Sequence, residues 1–353
     1  MAPLWPLRLA ARDDELLSSY LIRAAHRHSL SPGAFTALWW PDRPVWNRDL
    51  DRGEDTAWLA DVAAHTGLSL DRVRAMTLDA PRRRFGWGSG DTPLILSAGI
   101  YHRTRVRHAV QFCPWCLTDE VPYLRRGWRY SFVLTCPTCT TPLLDACPHC
   151  REAIVPHRSF RWSLDACHAC GLALGQRDLR GAAVPAAVHG LQTRLLARLA
   201  SDTGATVGPW GGDDAFAGVR ALIAIARHPD VLPALRSALE LDDATISASR
   251  FERMRIADRA VLLETVAHWI ADWPRTFFIA AGNAALTQRT FRRIAQPGDL
   301  ARQVLRLPDG SPRDRTFVPV LQDPALKRLR RRNRDGYRRV RAARLLDATA
   351  QRR

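Results

Sequence analysis

Eight cysteines, all in four Cys-x2-Cys pairs between Cys113 and Cys170, are the residues of this chain whose type and spacing could do chemistry. The full pattern is C-x2-C-x19-C-x2-C-x7-C-x2-C-x16-C-x2-C. A Cys-x2-Cys turn aims two thiolates at one tetrahedral ion, and two such turns complete a closed structural zinc site. Taken in chain order, Cys113, Cys116, Cys136 and Cys139 form one site, and Cys147, Cys150, Cys167 and Cys170 form the other. A cross-braced order, first pair with third and second with fourth, also fits the spacing. The 19- and 16-residue loops suit zinc ribbons and the 7-residue link suits two consecutive modules, so the sequential order is favoured. Disulfides are the competing use, but disulfide cysteines rarely arrive as four such pairs and nowhere else. Redox chemistry is a weaker rival, because the pairs lack a thioredoxin-like strand–helix setting. His149 and His168, inside the pairs, are read as bystanders. Four thiolates leave no open coordination position, so two structural zinc ions per chain are expected. They would fold a segment otherwise poor in apolar residues.

The chain has 353 residues, enough for two or three domains with cores. Its formal net charge is +17, and Lys327 is its only lysine. From Arg82 to Arg129, nine arginines face three acids, a net of +6. From Lys327 to Arg353, twelve basic residues face two acids, a net of +10. Clustering of this kind points to a polyanion, since each phosphate contact releases counterions. No stretch reaches the roughly 18–20 apolar residues of a membrane span. The opening "MAPLWPLRLAARDDELLSSYL" is not a signal peptide, since prolines and arginine break its apolar run. A cytoplasmic, nucleoid-associated protein is the expectation.

The elements that must position the cysteines read as helices on both sides. In "DELLSSYLIRAAHRH", Leu16, Leu17, Tyr20, Leu21, Ala24 and Ala25 recur at helical spacing. Ser31-Pro32 is a cap followed by an N1 proline, opening a second helix. "TAWLADVAAHTGLSLDRVRAMTL" has a helix-turn-helix look, stopping at Gly67 and recapped at Ser69 around Leu59, Val62, Leu68 and Val73. Beyond Gly181, "LQTRLLARLA", "FAGVRALIAIARH" and "ADRAVLLETVAHWIADW" keep the 3.6-residue period. A second helix-turn-helix candidate lies in "FFIAAGNAALTQRTFRRI", with Gly282-Asn283 as turn and Thr287 as cap. The fold class is therefore mainly α. It comprises an N-terminal helical region (1–110), a central tandem zinc-finger module (111–180), a C-terminal helical domain with a helix-turn-helix-like hairpin (181–310) and a basic helical tail (311–353). No GxxxxGK[ST], GxSxG, HExxH or GxGxxG motif occurs, and an enzyme is not expected.

Two stretches carry a family resemblance. "PLRLAARDDELLSSYLIRAAHRHSLSPGAF", and then "FCPWCLTDEVPYLRRGWRYSFVLTCPTCTTPLLDACPHC", resemble the TniQ family over about residues 5–175. Cys139 stands where that family commonly has histidine, which is also a zinc ligand. The resemblance implies a target-site adaptor of transposons, including CRISPR-associated ones. Such adaptors connect a target-recognition element, either a DNA site or an RNA-guided complex such as Cascade, to an AAA+ ATPase regulator (TnsC/TniB-like). The regulator recruits the transposase, and some members act as homodimers.

Arginines supply the candidate nucleic-acid contacts. They are Arg125, Arg126 and Arg129 in the 19-residue loop, and Arg289, Arg292 and Arg293 on the second hairpin. The tail adds Arg330, Arg331, Arg332, Arg334, Arg338 and Arg339. Two other readings stay open: a stand-alone zinc-containing helix-turn-helix transcription regulator, and an enzyme subunit whose zinc ribbons feed nucleic acid to a catalytic partner.

Overall fold

The structure is a computed structural model that describes residues 3–86, 92–98, 107–159, 163–201, 206–294 and 296–310. The described residues up to Pro308 belong to one compact unit, from which the chain from Asp309 onward is separate. The six tail arginines and the expected tail helices lie outside the described residues. Among the described residues the regular structure is helical, with isolated β-bridges and no strand.

The N-terminal helices form where the apolar spacing and caps place them. Helix α1 (Leu17–Arg27) buries all six residues of the expected stripe, Leu16 included. Glu15, buried just ahead of it, is paired with Arg23 at 2.7 Å. Helix α2 (Pro32–Trp39) is capped by Ser31, whose hydroxyl accepts from the Ala34 amide. Helix α3 (Thr56–Thr66) starts at Asp55, which accepts from the Trp58 amide. It stops at Gly67, whose φ of 72° is left-handed and suits glycine. Ser69 then caps α4 (Leu70–Ala75), and α5 (Asp79–Arg84) follows. Helices α1 to α4 close on Trp5, Tyr20, Phe35, Trp40, Trp58, Val62 and Val73.

After the cysteine region come α6 (Ala186–Ala200), α7 (Asp214–Ala226), α8 (Leu232–Ala238), α9 (Ile256–Trp269), α10 (Arg275–Asn283), α11 (Gln288–Phe291) and α12 (Gly298–Val304). Helices α6, α7 and α10 pack on α9. Their core, including Leu191, Phe216, Leu262, Val266 and Phe277, is continuous with the residues around the first cysteine pairs.

The 19-residue stretch between Cys116 and Cys136 joins the two helical sets. On one side, the Leu16 amide donates to Leu124 O at 2.9 Å and the Leu124 amide to Ser19 Oγ at 3.0 Å. Arg126 donates its amide to Asp14 O and its Nε to the Asp14 carboxylate. Arg129 is 1% exposed. Its guanidinium donates to Asp49 at 2.6 Å, to Asp51 at 3.0 Å and to Leu96 O at 3.0 Å. Asp51 also accepts from the amide and hydroxyl of Ser18, both at 2.8 Å.

On the other side, the fully buried Arg259 of α9 donates to Ser131 O at 2.5 Å and to Gln111 Oε1 at 2.7 Å. Gln111 in turn donates to Trp128 O and Val133 O. Gln192 of α6 accepts from the Leu134 and Thr135 amides and donates to Thr135 O, reproducing a strand partner with one side chain. Just beyond the first cluster, Asp145 accepts from the first amide of α9, Ile256, at 2.8 Å and pairs with Arg255 at 3.0 Å. Burial pushes the Asp145 carboxyl up, but these hydrogen bonds and the charges of Arg255 and Arg259 hold it below the usual carboxylate range.

Removing one partner of a buried ion pair leaves the other uncompensated, at a cost of roughly 3–5 kcal/mol. Arg129→Met should therefore lower the denaturant midpoint sharply, and adding Asp49→Asn and Asp51→Asn should restore much of the loss. Burial pushes Asp51 up to about 6, with Arg129 opposing and Asp49 adding to the rise. A folded value above the ordinary carboxylate value of about 3.9 means that Asp51 stabilises most at low pH. Its contribution is complete below that value and is lost as pH rises through about 6. Asp51→Asn should flatten that part of the stability–pH curve measured by denaturant titration.

Candidate metal centres

Three of the four cysteine pairs share one backbone turn. In each, the first cysteine's amide donates to the carbonyl five residues on: Cys136 to Thr141, Cys147 to Glu152 and Cys167 to Leu172. The same cysteine's carbonyl accepts from the amide four residues on, at Thr140, Arg151 and Gly171. An antiparallel bridge closes each turn: Thr135 with Pro142, Ala146 with Ala153 and Ala166 with Ala173. The fourth-on residue has positive φ in all three, 59° at Thr140, 65° at Arg151 and 73° at Gly171. That left-handed step swings the chain back, so that both thiolates point to one side. The first pair differs: Leu117 N donates to Cys113 O and the chain continues into a short 3-10 helix, Cys116–Thr118. Phe112 and Leu144 exchange both backbone hydrogen bonds, tying the entry of the first cluster to the exit from its second pair.

The sulfurs converge in two groups of four. Cys113, Cys116, Cys136 and Cys139 form one, and Cys147, Cys150, Cys167 and Cys170 the other, with the ligand atoms in each within 4.8 Å of one another. This is the sequential pairing and not the cross-braced one. Individual separations are 3.3 Å for Cys113–Cys139, 3.6 Å for Cys116–Cys136, and 3.7 Å for both Cys147–Cys170 and Cys150–Cys167. Sulfurs about 2.3 Å from a tetrahedral zinc would stand about 3.8 Å apart, so the donor set fits that ion. All eight thiols are free of disulfides. With four thiolates per ion no position is left for water or substrate, and a bound zinc would serve as a cross-link.

The two centres are packed against each other by the chain leaving the second. The Gln176 amide donates to Pro114 O at 3.1 Å, and Trp115 Nε1 donates to Arg177 O at 2.9 Å. A Cβ at Gly175 would lie 2.4 Å from Leu117 O, so only glycine permits this approach.

The candidate arginines fall into different settings. Arg129 is buried in the Asp49–Asp51 pairing, which corrects its expected place on a contact surface: a guanidinium spent on two carboxylates inside the core cannot also reach a phosphate. Arg126 is partly exposed and paired with Asp14. Arg125 is half-buried, its guanidinium 4.6 Å over the Tyr123 ring. Arg289, Arg292 and Arg293 are exposed, around the single-turn α11, whose Thr287 and Thr290 form a reciprocal cap. Other arginines of the basic run 82–129 are paired with acids as well. Arg82 pairs with Glu54 and Asp79, Arg83 with Asp79, and Arg84 with Asp213. Trp128, at 1% exposure, packs in the core beside the first cluster.

Sequence reasoning missed Arg259, Gln192, Gln111 and Asp145, which tie the C-terminal helices to the cysteine region. A signal for two of them existed. Arg259 shares a helix face with Leu262, Leu263 and Val266, and Gln192 sits among Val188, Leu191 and Leu195. A polar residue inside an apolar stripe has to find a buried partner.

Comparison with known proteins adds one match. The TniQ family model matches residues 6–143, a stretch that takes in α1 to α5, the first cysteine cluster and the loop inside it, and stops short of Cys147. No curated protein matches the chain. Metal analysis of the purified chain should return two zinc ions, and Cys136→Ser should lose one of them together with the folded state rather than a single activity. Gly175→Ala should push the Leu117 carbonyl aside and destabilise the fold by about 1–3 kcal/mol, the usual cost of overpacking, read as a lower thermal midpoint.

Proposed function

We propose that this chain, whose residues 6–143 match the TniQ family model, is a transposition-associated protein and a non-catalytic adaptor. In this reading it links a target-recognition element to an AAA+ ATPase regulator, which recruits the transposase. The observation that carries it is the bracing of the N-terminal helices onto the first cysteine cluster through Leu16, Ser19 and the Arg129–Asp49–Asp51 pairing. Such bracing makes a rigid scaffold, which is what a protein that relays position between two partners requires. The closed four-thiolate sets suit the same role, since zinc held in this way is structural.

The N-terminal helices would then offer the surface for the regulator. Arg289, Arg292 and Arg293, with the basic tail, would hold nucleic-acid phosphates. Recognition helices reach base edges by lying along the major groove. Helices α4, with six residues, and α11, with four, offer little length for that, which weighs against the stand-alone transcription regulator. Phosphate contact without base reading supports binding that is modest and steeply salt-dependent. No helix among the described residues is long and apolar enough to cross a membrane.

The test is co-purification with an AAA+ transposition ATPase co-expressed with this chain, together with duplex-DNA titrations at several salt concentrations. Capture of the ATPase, with DNA affinity that falls steeply with salt and varies little with sequence, is the expected result. Tight binding to one operator, roughly 10³-fold or more over random DNA and without ATPase contact, would replace the adaptor by the regulator.

A further inference from the structure

The two four-thiolate clusters are unequally covered. In the first, Cys113, Cys116 and Cys136 are buried and Cys139 is partly covered. The segment Gly175–Arg177 lies across it, bonded to Pro114 O and Trp115. In the second, Cys147 and Cys167 are buried, but Cys150 is only partly covered and Cys170 is exposed. The turns that carry these ligands show their outer sides to solvent, with His149, Arg151, Glu152 and Ala169 all exposed.

From this asymmetry we infer that Cys170 is a site of oxidative modification, through which the second cluster, and not the first, gives up its metal to a peroxide. Exposure and thiolate character together decide which cysteine an oxidant reaches, and ligands of a four-thiolate site are thiolates. The Cys170 sulfur attacks one peroxide oxygen, the O–O bond breaks, and hydroxide leaves to give a sulfenic acid. The Cys147 sulfur, 3.7 Å away, then attacks the Cys170 sulfur, forming the S–S bond and expelling a second hydroxide. Two thiolates have lost two electrons, and two solvent protons complete two waters. Cys150 and Cys167 are then the only remaining ligands, and two thiolates do not retain zinc as four do.

The consequence follows from what flanks the cluster. Cys147 stands two residues after Asp145, which holds Arg255 and the first amide of α9. Gly171 leads through Leu174 to the segment that covers the first cluster. Oxidation at the second cluster therefore loosens the attachment of the C-terminal helices, while the first cluster keeps its ion and the N-terminal helices their brace.

The full chain loaded with two zinc ions, treated with hydrogen peroxide, tests this. Zinc release is followed with a chromogenic chelator, and the oxidised cysteines are mapped by peptide mass. The expected result is a fast phase releasing one ion, at least about tenfold ahead of the other, with Cys170 in a disulfide to Cys147 and the helical circular-dichroism signal largely kept. Cys170→His keeps a zinc ligand but removes the reactive sulfur, and should bind two ions and lack the fast phase. Release of both ions at one rate, first oxidation within Cys113–Cys139, or a fast phase surviving in Cys170→His would overturn the inference. Should Cys170→His fail to hold the second ion, the disulfide mapped in the unaltered chain decides alone.

Discussion

The fold depends on one buried cation. Arg129 lies in the loop between two pairs of the first cysteine cluster, and its guanidinium is divided between Asp49, Asp51 and Leu96 O. Removing a charge from water is costly unless paired and hydrogen-bonded groups compensate it. The compensation here is nearly complete, since Asp51 also accepts two bonds from Ser18 at the start of α1. The loop cannot move away without stranding two carboxylates, and α1 cannot move away without stranding Asp51. The same loop is held from behind by Arg259 and Gln192. Helices far apart in the chain thus meet on a stretch with almost no regular structure of its own.

Such a stretch needs its ends fixed, and the cysteines do this. The loop leaves Cys116 and returns at Cys136, two ligands of one cluster whose sulfurs are 3.6 Å apart. A bound ion would close the loop at its base and remove most of the conformational entropy that its open form would have. The buried arginine then fixes the loop's tip and the metal its stem. Neither suffices alone: a closed loop with no interior partner would still flex, and an ion pair on an open loop would have to bear the whole ordering cost.

Much of this was legible in the sequence where the signal is local. The cysteine spacing set the two clusters, Ser31, Gly67 and Ser69 fell at their helix ends, and the stripe from Leu16 to Ala25 faced inward. The reading failed where the physics depends on partners distant in the chain. Arg129 reads as one more charge in a basic loop, and nothing local says that Asp49 and Asp51, some 80 residues earlier, will enclose it. Arg259 and Gln192 were different, because a polar residue within an apolar stripe declares its own burial even when its partner is unknown.

This changes what net charge means for the chain. A count along the sequence treats every arginine as available, yet Arg23, Arg82, Arg129, Arg236 and Arg259 are each tied to acids or carbonyls in the interior or at its edge. Within the run from Arg82 to Arg129, Arg82, Arg83, Arg84, Arg126 and Arg129 are each paired with an acid drawn from Glu54, Asp79, Asp213, Asp14, Asp49 and Asp51. Arginine suits this interior use because its planar fork serves two acceptors at once and keeps its charge when buried. Burial pulls Arg259 down only to about 10, so it too is cationic at neutral pH. The basic surface that a polyanion could meet is accordingly narrower than the formal +17 implies, and within the described residues Arg289, Arg292 and Arg293 are candidate contacts that stand exposed.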